Sequence, residues 1–355
     1  MVKKLILVLL FFTIAGLILS GRASASDTWH VAGNPGVIAQ DLQFANGEVH
    51  LVGTVYLPAN GDHLPAVVAL HEAGTATRDA ALFQHLTEGL PAMGIAVLTY
   101  DRRGSGKSTG SLNDSGYGAL ADDAVAGQQA LATLARIDPR RIGFWGLSQG
   151  GWLAVLAAGR SKSAAFAISV SAPLVTPERQ MEFATTNLLA IRGYSQPEVQ
   201  EMLAARKAWI GYLKGRNSRA VAVEALQKVE TKPWFDLAFM PKASTLTTDP
   251  EHSSMRRKMN DDPIIAVRNV RVPLLFIYGG ADPWIPVAQT VEQLEVLAKQ
   301  RSNIRYAVIA GASHEMMFRE HETMAFDAKT FHENAPQAPS YFMLMASWLR
   351  QQVGE

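Results

Sequence analysis

Residues 141–152 read Arg141-Ile142-Gly143-Phe144-Trp145-Gly146-Leu147-Ser148-Gln149-Gly150-Gly151-Trp152, and this stretch decides the fold. Ile142 to Trp145 is a short apolar run of the kind that fills a buried strand. Gly146-Leu147-Ser148-Gln149-Gly150 follows as a Gly-x-Ser-x-Gly pentapeptide, and Trp152-Leu153-Ala154-Val155-Leu156 then opens a helix. The pentapeptide alone is weak, because Gly and Ser are common, and an ordinary βα turn can use serine as a cap. Its place between strand and helix makes it informative. So tight a turn needs small residues on both flanks, and it lifts the serine hydroxyl above the sheet edge. The new helix also directs N–H groups without helical acceptors, including that of Gln149, at the space beside Ser148.

Outward from this point, β-rich runs alternate with longer helical patterns, which predicts an α/β fold with a largely parallel sheet. Runs around Leu42-Phe44 and Val49-Leu57 flank Ala45-Asn46-Gly47, a hairpin signal. Further strands are expected at Ala66-Leu70, Ile95-Tyr100, Arg141-Leu147, Ala165-Ser171, Pro273-Tyr278 and Ile304-Ala310. Helices are expected at about 79–93, 119–136, 149–160, 286–299 and 341–352. Residues 173–262 break the rhythm, being far longer than a simple crossover needs. Pro177, Pro197, Pro233, Pro241 and Pro250 punctuate this mostly helical stretch, which also holds Trp209, Tyr212, Trp234, Phe235 and Phe239. The economical reading is a helical cap inserted between core segments 26–172 and 263–355. Its aromatic residues are expected to be mainly helix core, with a subset lining a pocket.

A reactive serine needs a base, and the base needs an acid to orient it. Asp282 follows the strand Leu274-Leu275-Phe276-Ile277-Tyr278, and His314 follows the next strand after Gly311-Ala312-Ser313. Functional groups in open α/β sheets gather at the C-terminal strand ends, so Ser148, Asp282 and His314 are expected on one edge. Each alone could be structural: Asp282 could cap a helix and His314 could sit on a surface loop. Together, in this order, they are the expected catalytic residues. Acyl transfer also needs oxyanion donors. The Gln149 N–H is one. The second is expected from His71-Glu72-Ala73-Gly74 after the strand Ala66-Leu70, with Ala73 N–H preferred to that of Glu72. His71 is expected to support this loop through side-chain hydrogen bonds.

With these residues in place the chain resembles the α/β-hydrolase superfamily of serine hydrolases, and within it bacterial carboxylesterases related to serine aminopeptidases. The resemblance covers residues 48–350. It rests on Arg78-Asp79, Tyr100-Asp101-Arg102-Arg103-Gly104-Ser105-Gly106-Lys107-Ser108, Ala121-Asp122-Asp123-Ala124, Gly146 to Trp152, Asp262-Pro263, and the terminal Tyr341 with Trp348-Leu349. It implies an α/β-hydrolase fold with an inserted helical cap, and is weakest in the cap. One departure stands in the oxyanion loop, where such enzymes usually carry Gly directly after the His and this chain has Glu72. A carboxylate beside a developing oxyanion is unfavourable, so Glu72 is expected to point away or to tune the site.

Composition narrows the remaining possibilities. Hydrophobic residues make up 48% and charged residues 18%, which excludes a disordered or fibrous chain. Thirty-three basic against 32 acidic residues is too balanced for an electrostatic nucleic-acid binder. No cysteine is present, so thiol nucleophiles, thiolate metal sites and disulfides are all excluded. Gly104-Ser105-Gly106-Lys107-Ser108 resembles the end of a phosphate loop, but the glycine such a loop needs five residues before Gly106 is Asp101. A turn beside the site, with Asp101 and Arg102 in a structural charge network, is expected instead. His71-Glu72 and His314-Glu315 begin like a zinc-protease motif, yet the second histidine is replaced by Thr75 and Phe318. No metal and no cofactor are expected.

Met1 to Ala25 reads as an export signal, with Lys3 and Lys4, an apolar run from Leu5 to Leu19, and Ala23-Ser24-Ala25 as cleavage site. The run is shorter than the about 20 apolar residues of a spanning helix. The expectation is therefore an exported protein, periplasmic or secreted, beginning near Ser26, with no stable membrane insertion after cleavage. Its expected partner is a small-molecule ester with a small to medium acyl group, and nucleic acid is not expected. A peptidase, and a thioesterase or acyltransferase, remain open because they use the same triad. A non-catalytic hydrolase scaffold would be expected to lose a triad member, and none is lost.

Overall fold

The computed structural model describes residues 36–73, 77–259, 261–318 and 337–354. The expected export signal at 1–25 lies outside them. Among the described residues no helix is long and apolar enough to cross a membrane.

One eight-stranded sheet organises the molecule. The hairpin β1 (Val37–Asn46) and β2 (Val49–Pro58) leads to β3 (Leu64–Leu70), α1 (Gln84–Gly89), β4 (Ala96–Tyr100), α2 (Tyr117–Leu131), β5 (Ile137–Leu147) and α3 (Gln149–Arg160). After β6 (Ala167–Val170) come α4 (Pro177–Ile191), α5 (Gln196–Leu213), α6 (Arg219–Gln227) and α7 (Ser254–Met259). The chain then returns through α8 (Pro263–Asn269), β7 (Leu274–Gly279), α9 (Val287–Gln300), β8 (Ile304–Ile309) and α10 (Pro339–Val353). The strand order is β1-β2-β4-β3-β5-β6-β7-β8. Pairings β1–β2 and β2–β4 are antiparallel, and every pairing from β4 through β8 is parallel.

Strands β3, β4, β6 and β7 are buried along their whole length, as their near-continuous apolar runs require, while the edge strand β8 is partly exposed. Along β3 the side chains alternate. Ala66, Val68 and Leu70 join one cluster with Leu120 of α2, Leu153 of α3, Val267 of α8 and Leu294 of α9. Val67 and Ala69 join the other with Leu86 of α1 and Tyr341, Met345 and Leu349 of α10. Complete burial of each large apolar side chain contributes about 1.5–3 kcal/mol. Helices α5–α7 and the end of α4 build a third, separate core that includes Leu189, Met202, Trp209, Leu213, Trp234 and Phe235. The segment between β6 and β7 thus carries its own hydrophobic centre.

Two expectations are corrected. Residues 79–93 do not form one helix: Ala81–Phe83 and Pro91–Met93 are 3₁₀ turns on either side of α1. Pro91 cannot supply the N–H that would continue α1, and Gly94 at φ 81° closes the segment in a left-handed turn. Strand β5 begins at Ile137 rather than Arg141, because Leu64 of β3 pairs with Ile137 across a register shift before Ala66 meets Ile142.

Candidate active site

Ser148 occupies the turn between β5 and α3 at φ 56°, ψ −121°. A non-glycine residue held at positive φ is strained, and the neighbours hold it there. Ser148 N–H donates to the Val170 carbonyl of β6 at 2.8 Å, and its carbonyl accepts from Trp152 N–H at 3.2 Å. The flanking glycines are a matter of space. A Cβ on Gly146 would overlap the Gly150 carbonyl group, and one on Gly150 would overlap the carbonyls of Leu70 and His71. The second overlap shows that the loop after β3 passes directly against the start of α3. Gln149 opens α3, where first-turn N–H groups have no helical acceptor.

Asp282 and His314 approach from the next strands. His314 Nδ1 lies 2.7 Å from Asp282 Oδ2, with the Asp282 side chain fully buried and that of His314 8% exposed. The other Asp282 oxygen, Oδ1, accepts the Trp284 N–H at 2.8 Å. Strand β6 links this pair to the serine. Ser171, just past its end, donates N–H to the Ile277 carbonyl of β7 at 2.8 Å and its hydroxyl to the His314 carbonyl at 2.6 Å. Residues 170 and 171 therefore anchor the Ser148 turn and the His314 loop side by side. Helix α4 reaches the same loops: Gln180 Nε2 donates to the Trp284 carbonyl and Asn187 Nδ2 to the Pro283 carbonyl, each at 2.9 Å.

Burial alone would lower the His314 pKa. The Asp282 charge and hydrogen bond, followed by the charges of Glu315 and Glu72, outweigh it and raise the pKa to about 9. The named influences are all carboxylates, which favour the imidazolium. Glu72 is the last of these influences on His314, and its charge also opposes the burial that lowers the Arg102 pKa.

Arg102 is the residue whose place sequence reasoning missed. It was expected in a structural charge network with Asp101, but at 4% exposure it reaches the two segments expected to supply oxyanion amides. Its Nη1 donates to the Glu72 carbonyl at 3.1 Å and the Ala73 carbonyl at 3.4 Å, and its Nη2 to Gln149 Oε1. No local pattern could have revealed this, since its partners lie 29 to 47 residues from Arg102 in sequence.

Asp101 fills the turn that resembled a phosphate loop. Its carboxylate accepts the Arg78 N–H at 3.0 Å and the Lys107 N–H at 2.8 Å, while Arg78 Nη1 stands 3.4 Å away. Arg103 pairs instead with Asp123 of α2, through Nε to Oδ2 at 2.7 Å and Nη2 to Oδ1 at 2.5 Å. His71 is packed rather than broadly hydrogen-bonded. Its ring stands edge-on to Phe83 and Tyr100, and Nε2 is buried with no partner. Burial, and then the Arg102 charge, push its pKa down to about 3, so the ring is neutral. Among the described residues no three His, Asp or Glu side chains gather as a metal site requires.

Comparison with known proteins agrees with this architecture. An esterase of Pyrococcus furiosus superposes with a TM-score of 0.54 at 17% identity, over 90% of this chain and 92% of that one. An α/β hydrolase of Penicillium, GrgF, superposes with a TM-score of 0.54 at 18% identity, over 89% and 99%. At these identities the likeness is one of fold. Two uncharacterized proteins of Mycobacterium tuberculosis are 35% identical over 106 residues, 29% of this chain, so the chain spans about a third of those relatives' length. Residues 63–322 match the family described as serine aminopeptidase, S33, and with the mostly parallel sheet and the strand-to-helix serine turn already described, the chain belongs to that family of α/β hydrolases.

Proposed function

We propose that this protein is an exported carboxylesterase that cleaves esters of small to medium acyl groups through an acyl-enzyme. Ser148 attacks the ester carbonyl while His314 takes its proton, and Asp282 holds the imidazole in the tautomer that leaves Nε2 for the serine. The N–H groups of Ala73 and Gln149 receive the oxyanion. His314 then gives its proton to the leaving alcohol, and a water activated by the same ring releases the acid. The observation that carries this reading is the 2.7 Å His314–Asp282 bond, in a loop fastened through Ser171 to the strand that also holds Ser148. The esterase among the superposable structures points the same way. Export rests on the sequence of residues 1–25, and substrate size on the bulk of the inserted helices.

The test is hydrolysis of p-nitrophenyl esters from acetate to palmitate, with Ser148→Ala alongside. Fast turnover of the short esters, reduced at least about 10³-fold in the folded variant, is the expected result. Near-normal turnover by Ser148→Ala would remove the serine from the mechanism. Silence across the series, with Ser148 still labelled by a fluorophosphonate, would move the reading to peptides or thioesters.

A further inference from the structure

Phe239 is at odds with its surroundings. Trp234, Phe235, Ala238 and Met240 are all buried in the inserted segment's own core. Phe239, between the last two, is 50% exposed. Its backbone sits in the left-handed region at φ 50°, ψ 43°, a conformation unfavourable for a bulky residue. The turn is fixed from behind, because the buried Arg206 donates Nη2 to the Ala238 carbonyl. The strained turn therefore expels an aromatic ring from a core with which its neighbours pack.

That ring lies against the catalytic machinery. The Phe239 and Trp284 ring centroids are 5.8 Å apart at 53°, and Trp284 stands 6.4 Å from the His314 ring at 51°. Trp284 is in turn held by its own N–H on Asp282 and by its carbonyl on Gln180 of α4. The exposed Phe239 ring leads through the partly buried Trp284 to the buried His314 ring, and the open end of this aromatic row suits a flat apolar group in offset or edge contact. His314 is the group that protonates the departing oxygen, so a ring held beside it belongs to the alcohol portion of the ester.

We propose that Phe239 and Trp284 form a leaving-group subsite for aromatic alcohols. This rests on the ester reading, and its test separates the two. Benzyl acetate and cyclohexylmethyl acetate have alcohols of similar size and acidity but differ in aromaticity, and ethyl acetate carries no ring. The expected result is a kcat/KM preference for benzyl over cyclohexylmethyl acetate of roughly 3- to 10-fold. That preference should collapse toward unity in Phe239→Gly. Glycine accepts the left-handed backbone without strain, so the Tm of this variant should be no lower than that of the parent. Phe239→Leu, which keeps an apolar side chain but no ring, should lose the preference as well.

Ser148-dependent turnover of ethyl acetate with no benzyl preference would keep the ester reading and overturn the aromatic subsite. So would a Phe239→Gly protein that retains the preference, or one that merely melts earlier with the ratio intact. Failure to cleave any of the three esters would overturn both.

Discussion

Replacing Arg102 with Met tests whether one guanidinium aligns the oxyanion donors. Met fills much of the same space but removes the donors to the Glu72 and Ala73 carbonyls and to Gln149 Oε1. For stability, these bonds are only part-buried, so water can reach the freed acceptors and each lost bond costs about 0.5–1.5 kcal/mol. Relief from burying a cation offsets part of that loss, so a net destabilisation of about 1–3 kcal/mol is expected. For catalysis, outright loss of one oxyanion donor costs about 10²–10³-fold in kcat. Here both donors remain and only their spacing loosens, so about 10- to 100-fold is expected. The assay is kcat and KM on p-nitrophenyl acetate, with the Ki of a trifluoromethyl ketone, which forms a tetrahedral adduct on the serine. Because the oxyanion develops only after attack, kcat and ketone affinity should fall together while KM changes by less than about threefold. Arg102→Lys keeps the charge but not the planar fork, and should fall between parent and Met. A folded Met variant with kcat within threefold of the parent, or with the whole loss in KM, would refute the reasoning.

Three further outcomes are expected. Asp282→Asn should lower turnover by orders of magnitude yet leave slow fluorophosphonate labelling, because Ser148 remains; parental turnover would place the acid elsewhere. The base form of His314 is neutral, and its pKa is raised to about 9, so kcat/KM should climb with pH well above the usual histidine value of about 6.5. Glu72→Gln removes one of the negative charges behind that rise and should move the ascending limb to lower pH, whereas an unmoved limb would show that the Glu72 charge does not reach the ring. Gly146→Ala forces a methyl group into the Gly150 carbonyl, at a cost of about 2 kcal/mol or more; calorimetry should record a fall of at least about 3 °C in Tm.

Legibility in the sequence followed the range of the interactions. The serine turn was readable because strand, small residues and helix are consecutive, and Asp282 and His314 because strand ends fix where a loop residue emerges. The 79–93 segment was misread because its hydrophobic pattern is helical while Pro91 and Gly94 interrupt the hydrogen bonding. Arg102 was placed in the wrong network for a different reason. Its motif neighbours Asp101 and Arg103 do form ion pairs, but the direction of a side chain at the end of β4 is decided by what the flanking strands present there. Phe239 stands among the aromatic residues from which a pocket-lining subset is expected, but nothing local marks it out from its neighbours, since a left-handed turn at a phenylalanine runs against local preference.

The hydrogen bonds from Gln180 and Asn187 to the loop after Asp282 bear on how this protein could be rebuilt. Helix α4 belongs to the inserted segment by sequence, yet mechanically it is part of the mount that keeps Asp282 in line with His314. A chimera made by exchanging everything between β6 and β7 would carry off two of that mount's fasteners. A graft joined after Ile191 would leave them in place and deliver new pocket walls to an undisturbed acid–base pair.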